Sequence, residues 1–268
     1  MQPIINLPFG LSVYSYNLFF VLGIYIGIIF FYFEVKRKKW NIENLMFSMS
    51  GCFIGSMIGA LFFNTILFGT DDTLKKIFEF NVLGMSVLGG ILGGFIGVEI
   101  FKKIIGYKES TGDAFAIAIP IGHSIGRIGC LLTGCCYGTH TTLPWGIQYP
   151  ENSFPYLLHK HSNLIPDNAV ASLAVHPIPI YEIIFNILLF ILMIKIKNNF
   201  KANGSLFRFY ILSYCTFRFF EEFLRADTGV SIFFNLKLIQ INLLISIVWI
   251  LYWFKKNEFN NQLQSKKF

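Results

Sequence analysis

Charged residues are scarce in this chain of 268 residues. Lys, Arg, Asp and Glu together make up only 14% of it, whereas hydrophobic residues make up 54% and aromatic residues 18%. A typical soluble domain is about 25% charged. So little charge excludes a soluble globular domain, and the composition predicts an integral membrane protein.

No internal repeat or low-complexity tract is visible in the sequence, and we expect no cleavable signal sequence. Its first apolar segment is too long for a signal peptide and has no small-residue cleavage site, so we expect it to remain as a helix. The formal charge of +7 could suggest nucleic acid. Most of the basic residues lie in loops, however, where they predict contact with an anionic membrane surface and no nucleic-acid partner.

Seven apolar stretches are long enough to cross a bilayer as helices. They cover approximately residues 11–33, 44–68, 82–101, 114–136, 178–194, 206–224 and 238–254. Glycines and a proline interrupt the third and fourth stretches, which neighbouring helices can tolerate. We therefore predict a single all-α transmembrane domain over residues 1–268, with seven helices around a lipid-binding cavity.

The Lys and Arg residues predict the orientation of these helices, because short loops rich in them stay in the cytoplasm. Basic clusters follow the first, third, fifth and seventh stretches: Lys36 to Lys39, Lys102 to Lys108, Lys195 to Lys201, and Lys255 to Lys267. The other connections contain few basic residues. We expect the N-terminus outside and the C-terminus in the cytoplasm, with the longest polar insertion, residues 139–176, forming an ordered arm on the outer side.

Two arginines lie inside apolar stretches, Arg127 in the fourth and Arg218 in the sixth. A guanidinium at bilayer depth costs at least about 2.5 kcal/mol and stays charged, so it is normally kept for a bound anion or an internal partner. His123 precedes Arg127 by four residues, which places both on one helix face. The same spacing aligns Tyr214, Arg218 and Glu222. Two roles of Arg218 are equally compatible with this spacing: an ion pair with Glu222 and the binding of an anion. The two can coexist.

The glycines and cysteines each leave alternatives open. Gly89, Gly90 and their neighbours in the third stretch favour close helix packing or, alternatively, a lipid groove. The five cysteines are compatible with inert small hydrophobic side chains, a disulfide or redox role of Cys135 and Cys136, or a covalent relay at Cys130 beside Arg127. No metal ion is assigned. A metal site of Cys130, Cys135, Cys136 and His140, or one at His159 and His161, remains an alternative.

Four segments together resemble a known family. They are GRIGCLLTGCCYG (residues 126–138), LGMSVLGGILGG (83–94), HPIPIYE (176–182) and TFRFFEEFLR (216–225). In sequence and order they are similar to the motifs of the bacterial phosphatidylglycerol:prolipoprotein diacylglyceryl transferases. The resemblance implies a multi-pass enzyme of the bacterial plasma membrane that moves diacylglyceryl from phosphatidylglycerol to the lipobox cysteine of a prolipoprotein signal peptide and releases glycerol 1-phosphate. It implies no cofactor.

Matched by position, the resemblance implies roles for individual residues. Arg127 and Arg218 hold the phosphate, Glu222 orients Arg218, and Tyr16 and Tyr214 donate hydrogen bonds. The resemblance also includes Gly138, and Gly89 and Gly90 are assigned to substrate binding. The expected catalytic group is Arg127, Arg218, His123 and Tyr16.

The chain departs from the family pattern at four polar positions. The family's histidine before the paired glycines is Leu88 here, its signature asparagine is Cys130, its signature glutamate is Cys135, and an arginine of the second helix is Met57. Because leucine cannot accept a thiol proton, we expect His123 to act as the general base. These departures leave two alternatives: a lipid transferase with a different acceptor or head group, and a non-catalytic binder or transporter of anionic lipid. The absence of an inverted repeat disfavours the transporter.

Overall fold

The computed structural model of this protein describes residues 3–6, 12–68, 87–107, 111–200, 203–226, 231–233 and 236–265. The start of the third predicted helix at residue 82, the loop with Lys75 and Lys76, and Lys108 lie outside the described residues, as does the side chain of Leu88.

The described part of the chain is mostly helical. Its helices are α1 (Ser15–Arg37), α2 (Ile42–Phe68), α3 (Val87–Ile104), α4 (Gly112–Thr133), α5 (Phe154–His161), α6 (Ile178–Ile196), α7 (Ser205–Glu221) and α8 (Leu238–Ser265). Two small antiparallel sheets pair β1 (Ile4–Asn6) with β2 (Ser12–Tyr14), and β3 (Ser231–Phe233) with β4 (Leu236–Lys237).

Five of these helices, α1, α2, α4, α6 and α8, are long and apolar enough to cross a membrane. They coincide with five of the seven predicted stretches, so the prediction of a helical membrane protein is confirmed. The third and sixth stretches correspond to α3 and α7, and α7 has only 17 residues. Seven membrane crossings and the orientation of the termini stay predictions.

The fourth predicted stretch ends earlier than the sequence suggested. Helix α4 stops at Thr133 instead of continuing to residue 136, because Gly134 adopts a left-handed conformation with φ of 79°. Its N–H donates to the carbonyl of Cys130 over 3.0 Å. Glycine adopts this conformation without steric cost, and it is the usual way to end a helix. The turn brings the following cysteines back beneath the helix end.

The chain divides into two compact units, of which the second comprises residues 32–110. In it, α2 and α3 pack through glycines at four-residue spacing. A Cβ on Gly59 would lie 2.7 Å from the Cα of Gly93, and one on Gly55 would lie 3.0 Å from the Cα of Gly97. The two backbones therefore meet directly, which is the helix-packing alternative for these glycines.

The first unit comprises residues 1–31 and 111–268. Helix α4 packs against α6 and α7 around a buried core of Ala116, Ile117, Leu189, Met193, Leu206, Tyr210 and Tyr214. At the start of α4, the carboxylate of Asp113 accepts the backbone N–H groups of Gly204 (3.1 Å) and Phe207 (3.2 Å). These two bonds cap the N-terminus of α7, where backbone donors have no partner within the helix. Asp113 thereby fixes α7 to α4.

The segment between α4 and α6 folds into an arm of short bridges around helix α5. Ser153 caps α5 by accepting the N–H of Tyr156, and the buried side chains of Tyr137, Tyr149 and Val175 form a small core. Nδ1 of His159, a buried residue, accepts the N–H of Leu173 over 3.3 Å. The arm therefore has a packed interior of its own.

Candidate active site

His123 and Arg127 form the beginning of a buried polar cluster on α4. The Nε atom of Arg127 lies 3.1 Å from Nε2 of His123. Arg127 is only 7% exposed. The two side chains share one helix face, as their spacing predicts, and both point toward α6.

Glu182, near the start of α6, is the partner of both residues. Its side chain is fully buried, and its carboxylate forms an ion pair with Nε of Arg127. The same carboxylate lies 3.3 Å from Nε2 of His123 and 3.9 Å from Nη1 of Arg225. A buried carboxylate is stable only when cations or donors surround it, and here three groups do so.

Arg218 on α7 is held by two consecutive glutamates. Its Nη1 lies 3.0 Å from Glu221 and its Nη2 lies 2.7 Å from Glu222. Lys237 approaches Glu222 from β4, with Nζ 3.1 Å from the carboxylate. The ion pair between Arg218 and Glu222 is therefore present, and α7 supports Arg218 from two sides.

The two arginine groups belong to one electrostatic cluster. The carboxyl of Glu221, which contacts Arg218, lies beside that of Glu182, which contacts Arg127. Tyr214, one turn before Arg218 on α7, packs its ring 5.6 Å from the imidazole of His123. Helices α4, α6 and α7 thus bring together residues that are far apart in the sequence.

This buried cluster carries an excess of positive charge. Its side chains are the cations Arg127, Arg218, Arg225 and Lys237 and the carboxylates Glu182, Glu221 and Glu222. Four cations against three carboxyl groups leave at least one positive charge when His123 is neutral. In a low-dielectric interior, such an excess favours the binding of an anion.

Comparison with known proteins identifies the family of this chain. The family model for prolipoprotein diacylglyceryl transferase matches residues 3–254. The chain belongs to this family. It is 29% identical over 233 residues to the phosphatidylglycerol–prolipoprotein diacylglyceryl transferase of Clostridium tetani, covering 85% of this chain and 86% of the relative. It is 26% identical, over an alignment of 285 positions, to the enzyme of that name from Chlorobaculum tepidum. That alignment covers 97% of this chain and 92% of the relative.

In this prolipoprotein diacylglyceryl transferase family member, Tyr16 lies at the end of α4 that carries the cysteines. A Cβ on Gly129 would lie 3.0 Å from the Cα of Tyr16, so α1 and α4 nearly touch here. The structure thus places the backbone of Tyr16 against Gly129, two residues after Arg127 on α4.

Gly138 has a structural reason to lack a side chain. Its N–H donates to the carbonyl of His176 over 2.9 Å. A Cβ there would lie 2.5 Å from Cβ of His176 and 2.6 Å from the carbonyl oxygen of Leu224. Without a side chain, Gly138 fits between His176, at the far end of the arm, and Leu224, just after α7. It pairs there with Arg225.

Gly89 and Gly90 belong to the second unit. The carbonyl of Gly89 faces Gly59, and a Cβ on Gly90 would contact Ala60 at 3.8 Å. Both are accounted for by the packing of α3 on α2, and a role in binding substrate stays a prediction.

Sequence reasoning left four members of the cluster out of the site: Glu182, Glu221, Arg225 and Lys237. Glu182 lies in the quoted HPIPIYE segment, and a carboxylate next to the apolar run of α6 is as unusual as a buried arginine. That signal was sufficient to nominate it. Glu221 adjoins Glu222, and helical spacing puts it on a neighbouring side of the helix, yet it contacts Arg218 as well.

Proposed function

We propose that this membrane enzyme transfers the diacylglyceryl group of phosphatidylglycerol to the lipobox cysteine thiol of a prolipoprotein, releasing glycerol 1-phosphate. The observation that carries the proposal is the buried cluster with more cations than carboxyl groups, in a chain that belongs to the transferase family. The names of its relatives specify the same lipid and the same acceptor.

The reaction needs the chemistry that this cluster offers. The cysteine thiolate attacks the glyceryl carbon of the diacylglyceryl group, a C–S bond forms, and the C–O bond to the phosphate breaks with both electrons leaving on oxygen. The departing phosphate gains negative charge in the transition state. Preorganised cations lower the barrier most when they face the atom on which charge develops.

Arg127 and Arg218 supply the cations, and the carboxylates hold them in position. An arginine fixed by a carboxylate keeps its remaining N–H donors directed, and a planar guanidinium can bind phosphate through two of them. Glu182 orients Arg127, and Glu222 with Glu221 orients Arg218. Tyr214 and Tyr16 donate hydrogen bonds to the lipid head group.

His123 accepts the proton of the acceptor thiol in this proposal. Nε2 lies 3.3 Å from the carboxylate of Glu182. In the tautomer whose Nε2–H donates to this carboxylate, Nδ1 keeps its lone pair and takes the thiol proton. Replacing His123 with Gln keeps a hydrogen-bonding side chain and removes the base. We expect transfer to the thiol to slow, with the slowing relieved as the pH rises and the thiolate forms in solution. A pH–rate profile parallel to that of wild type excludes His123 as the base.

The enzyme lies in the bacterial plasma membrane, crossing it seven times with its N-terminus outside. In this orientation the arm of residues 139–176 and the nearby end of α4 face the outer side. An acceptor with its lipobox at the outer surface then reaches the charged cluster from the side of the arm. The alternation of basic loops supports this arrangement.

The experiment is transfer of labelled diacylglyceryl from phosphatidylglycerol to a lipobox peptide by the purified protein in detergent. Arg127→Lys and Arg218→Lys retain the charge but lose the planar fork, and we expect both to reduce the rate strongly. Arg208→Lys is the matched control on α7, because Arg208 lies over the ring of Trp253 (3.6 Å) and takes no part in the charged cluster.

The outcomes separate the alternatives. Product formed by wild type and the control, but not by the two cluster variants, supports the proposal. Lipid bound without product supports a non-catalytic lipid binder. Product with another head group or acceptor, but none with phosphatidylglycerol and the lipobox peptide, supports a related transferase.

A further inference from the structure

Three thiols lie together at the end of α4. The sulfur atoms of Cys130, Cys135 and Cys136 are all within 4.8 Å of one another. Cys130 is buried and the other two are partly buried. Cys52 and Cys215 lie elsewhere and are not members of this group. The roles assigned above to the charged cluster make no use of the three thiols.

The backbone conformation after α4 brings the three thiols together. The left-handed Gly134 reverses the chain, so the N–H of Cys135 returns to the carbonyl of Cys130 over 3.2 Å. Cys136 also has a positive φ, of 57°, which is uncommon for a residue with a side chain. The left-handed conformations of Gly134 and Cys136, on either side of Cys135, direct two side chains back toward a third.

The spacing of the sulfurs fits a bound cation. Metal–thiolate bonds of about 2.3 Å place three sulfurs about 4 Å apart around one ion, within the range seen here. A disulfide needs two sulfurs about 2.05 Å apart, and the structure has all three as free thiols. Sulfur donors select soft, closed-shell ions such as Cu⁺ and Zn²⁺ over Mg²⁺ or Ca²⁺.

The surroundings also suit a metal–thiolate group. Nη1 of Arg127 lies 3.7 Å from the sulfur of Cys130, so a permanent positive charge adjoins the donor set. Three thiolates around Cu⁺ or Zn²⁺ carry net negative charge, which this guanidinium partly offsets. His140, considered from the sequence as a fourth ligand, is exposed and is not grouped with the thiols.

We propose that Cys130, Cys135 and Cys136 form a three-thiolate site for one thiophilic d¹⁰ cation, Zn²⁺ or Cu⁺. The three thiols release their protons on binding, and the ion bonds to their sulfurs. The ion ties the turn after Gly134 to the last turn of α4. It thereby stabilises the helix end that carries Arg127. The site does not depend on the proposed transfer reaction.

The test uses the full-length protein in detergent, reduced, stripped of metal and kept free of oxygen. Zn²⁺ and Cu⁺ are added in separate titrations against a competing chelator, and bound metal is counted after gel filtration. We expect one tightly bound ion per chain and a rise in the unfolding temperature. The ion that binds more tightly identifies which of the two cations the site takes.

Cys135→Ser and Cys136→Ser are the informative variants, and Cys215→Ser is the control. We expect each of the first two variants to weaken metal binding by more than about 100-fold. Losing a ligand should cost more affinity than losing a group that only supports a ligand. Both should unfold at the wild-type temperature without metal, showing that they fold, and metal should no longer raise that temperature. The control should bind as wild type does.

Two results overturn the proposal. One is no stoichiometric binding of either ion by the wild-type chain. The other is binding that survives Cys135→Ser and Cys136→Ser unchanged, since the ion then occupies some other group of donors.

Discussion

Replacing Glu182 with Gln tests the electrostatic core of the site. The substitution preserves shape and hydrogen-bonding capacity but removes the negative charge that faces Arg127, His123 and Arg225. Because Glu182 is fully buried, water cannot replace the lost charge. Arg127 cannot deprotonate to relieve the imbalance. We therefore expect a large loss of stability.

The expected magnitude follows from the cost of an uncompensated buried charge. Removing one partner of a buried ion pair destabilises proteins by about 3–5 kcal/mol. This corresponds to a change of roughly one hundred- to several thousand-fold in the unfolding equilibrium. The cluster's excess positive charge rises by one, so affinity for an anionic lipid in the folded fraction should increase, not fall.

The assay is unfolding in mixed micelles titrated with sodium dodecyl sulfate, followed by circular dichroism. Glu151→Gln is the matched control, because Glu151 is exposed on the arm. A surface substitution of this kind should change the free energy of unfolding by less than about 0.5 kcal/mol.

The double variant Arg127→Gln/Glu182→Gln measures the coupling between the two buried charges. It removes both buried charges, so it should be more stable than the sum of the two single losses predicts. Additive losses, or a single Glu182→Gln variant as stable as the control, would refute the view that this ion pair organises the site.

Three further predictions concern the scaffold. Gly138→Ala should release the arm, seen as faster proteolysis, whereas Gly126→Ala, with open space around it, should not. Asp113→Ala should lower the free energy of unfolding by about 1–2 kcal/mol through loss of the cap on α7, unlike exposed Asp167→Ala. Burial in the docked arm lowers the pKa of His159, so the released arm binds a proton more readily than the docked arm does. As the pH falls below about 6.5, the docked arm should therefore lose stability, and proteolysis should accelerate.

Much of this structure is predictable from local spacing. Residues four apart on a helix must lie on one face, which explains why His123 with Arg127, and Arg218 with Glu222, are found together. Runs of apolar residues long enough to cross a bilayer likewise predict the membrane helices. Both signals need only the neighbouring sequence.

Contacts between distant segments were harder to anticipate. The pairing of Glu182 with Arg127 depends on how α6 packs against α4, and no spacing rule encodes it. The convergence of the three cysteines depends on the left-handed Gly134, whose effect on direction is not visible in a hydropathy profile. Hydropathy also extended the fourth helix to residue 136, because cysteine is apolar and the profile does not detect a helix cap.

Transfer to the lipobox cysteine is measured most directly by the mass of a lipobox peptide after incubation with the purified chain and phosphatidylglycerol. We expect a peptide heavier by one diacylglyceryl group on its cysteine, with an equal amount of glycerol 1-phosphate released. An unmodified peptide, recovered while the protein retains bound phosphatidylglycerol, would contradict it.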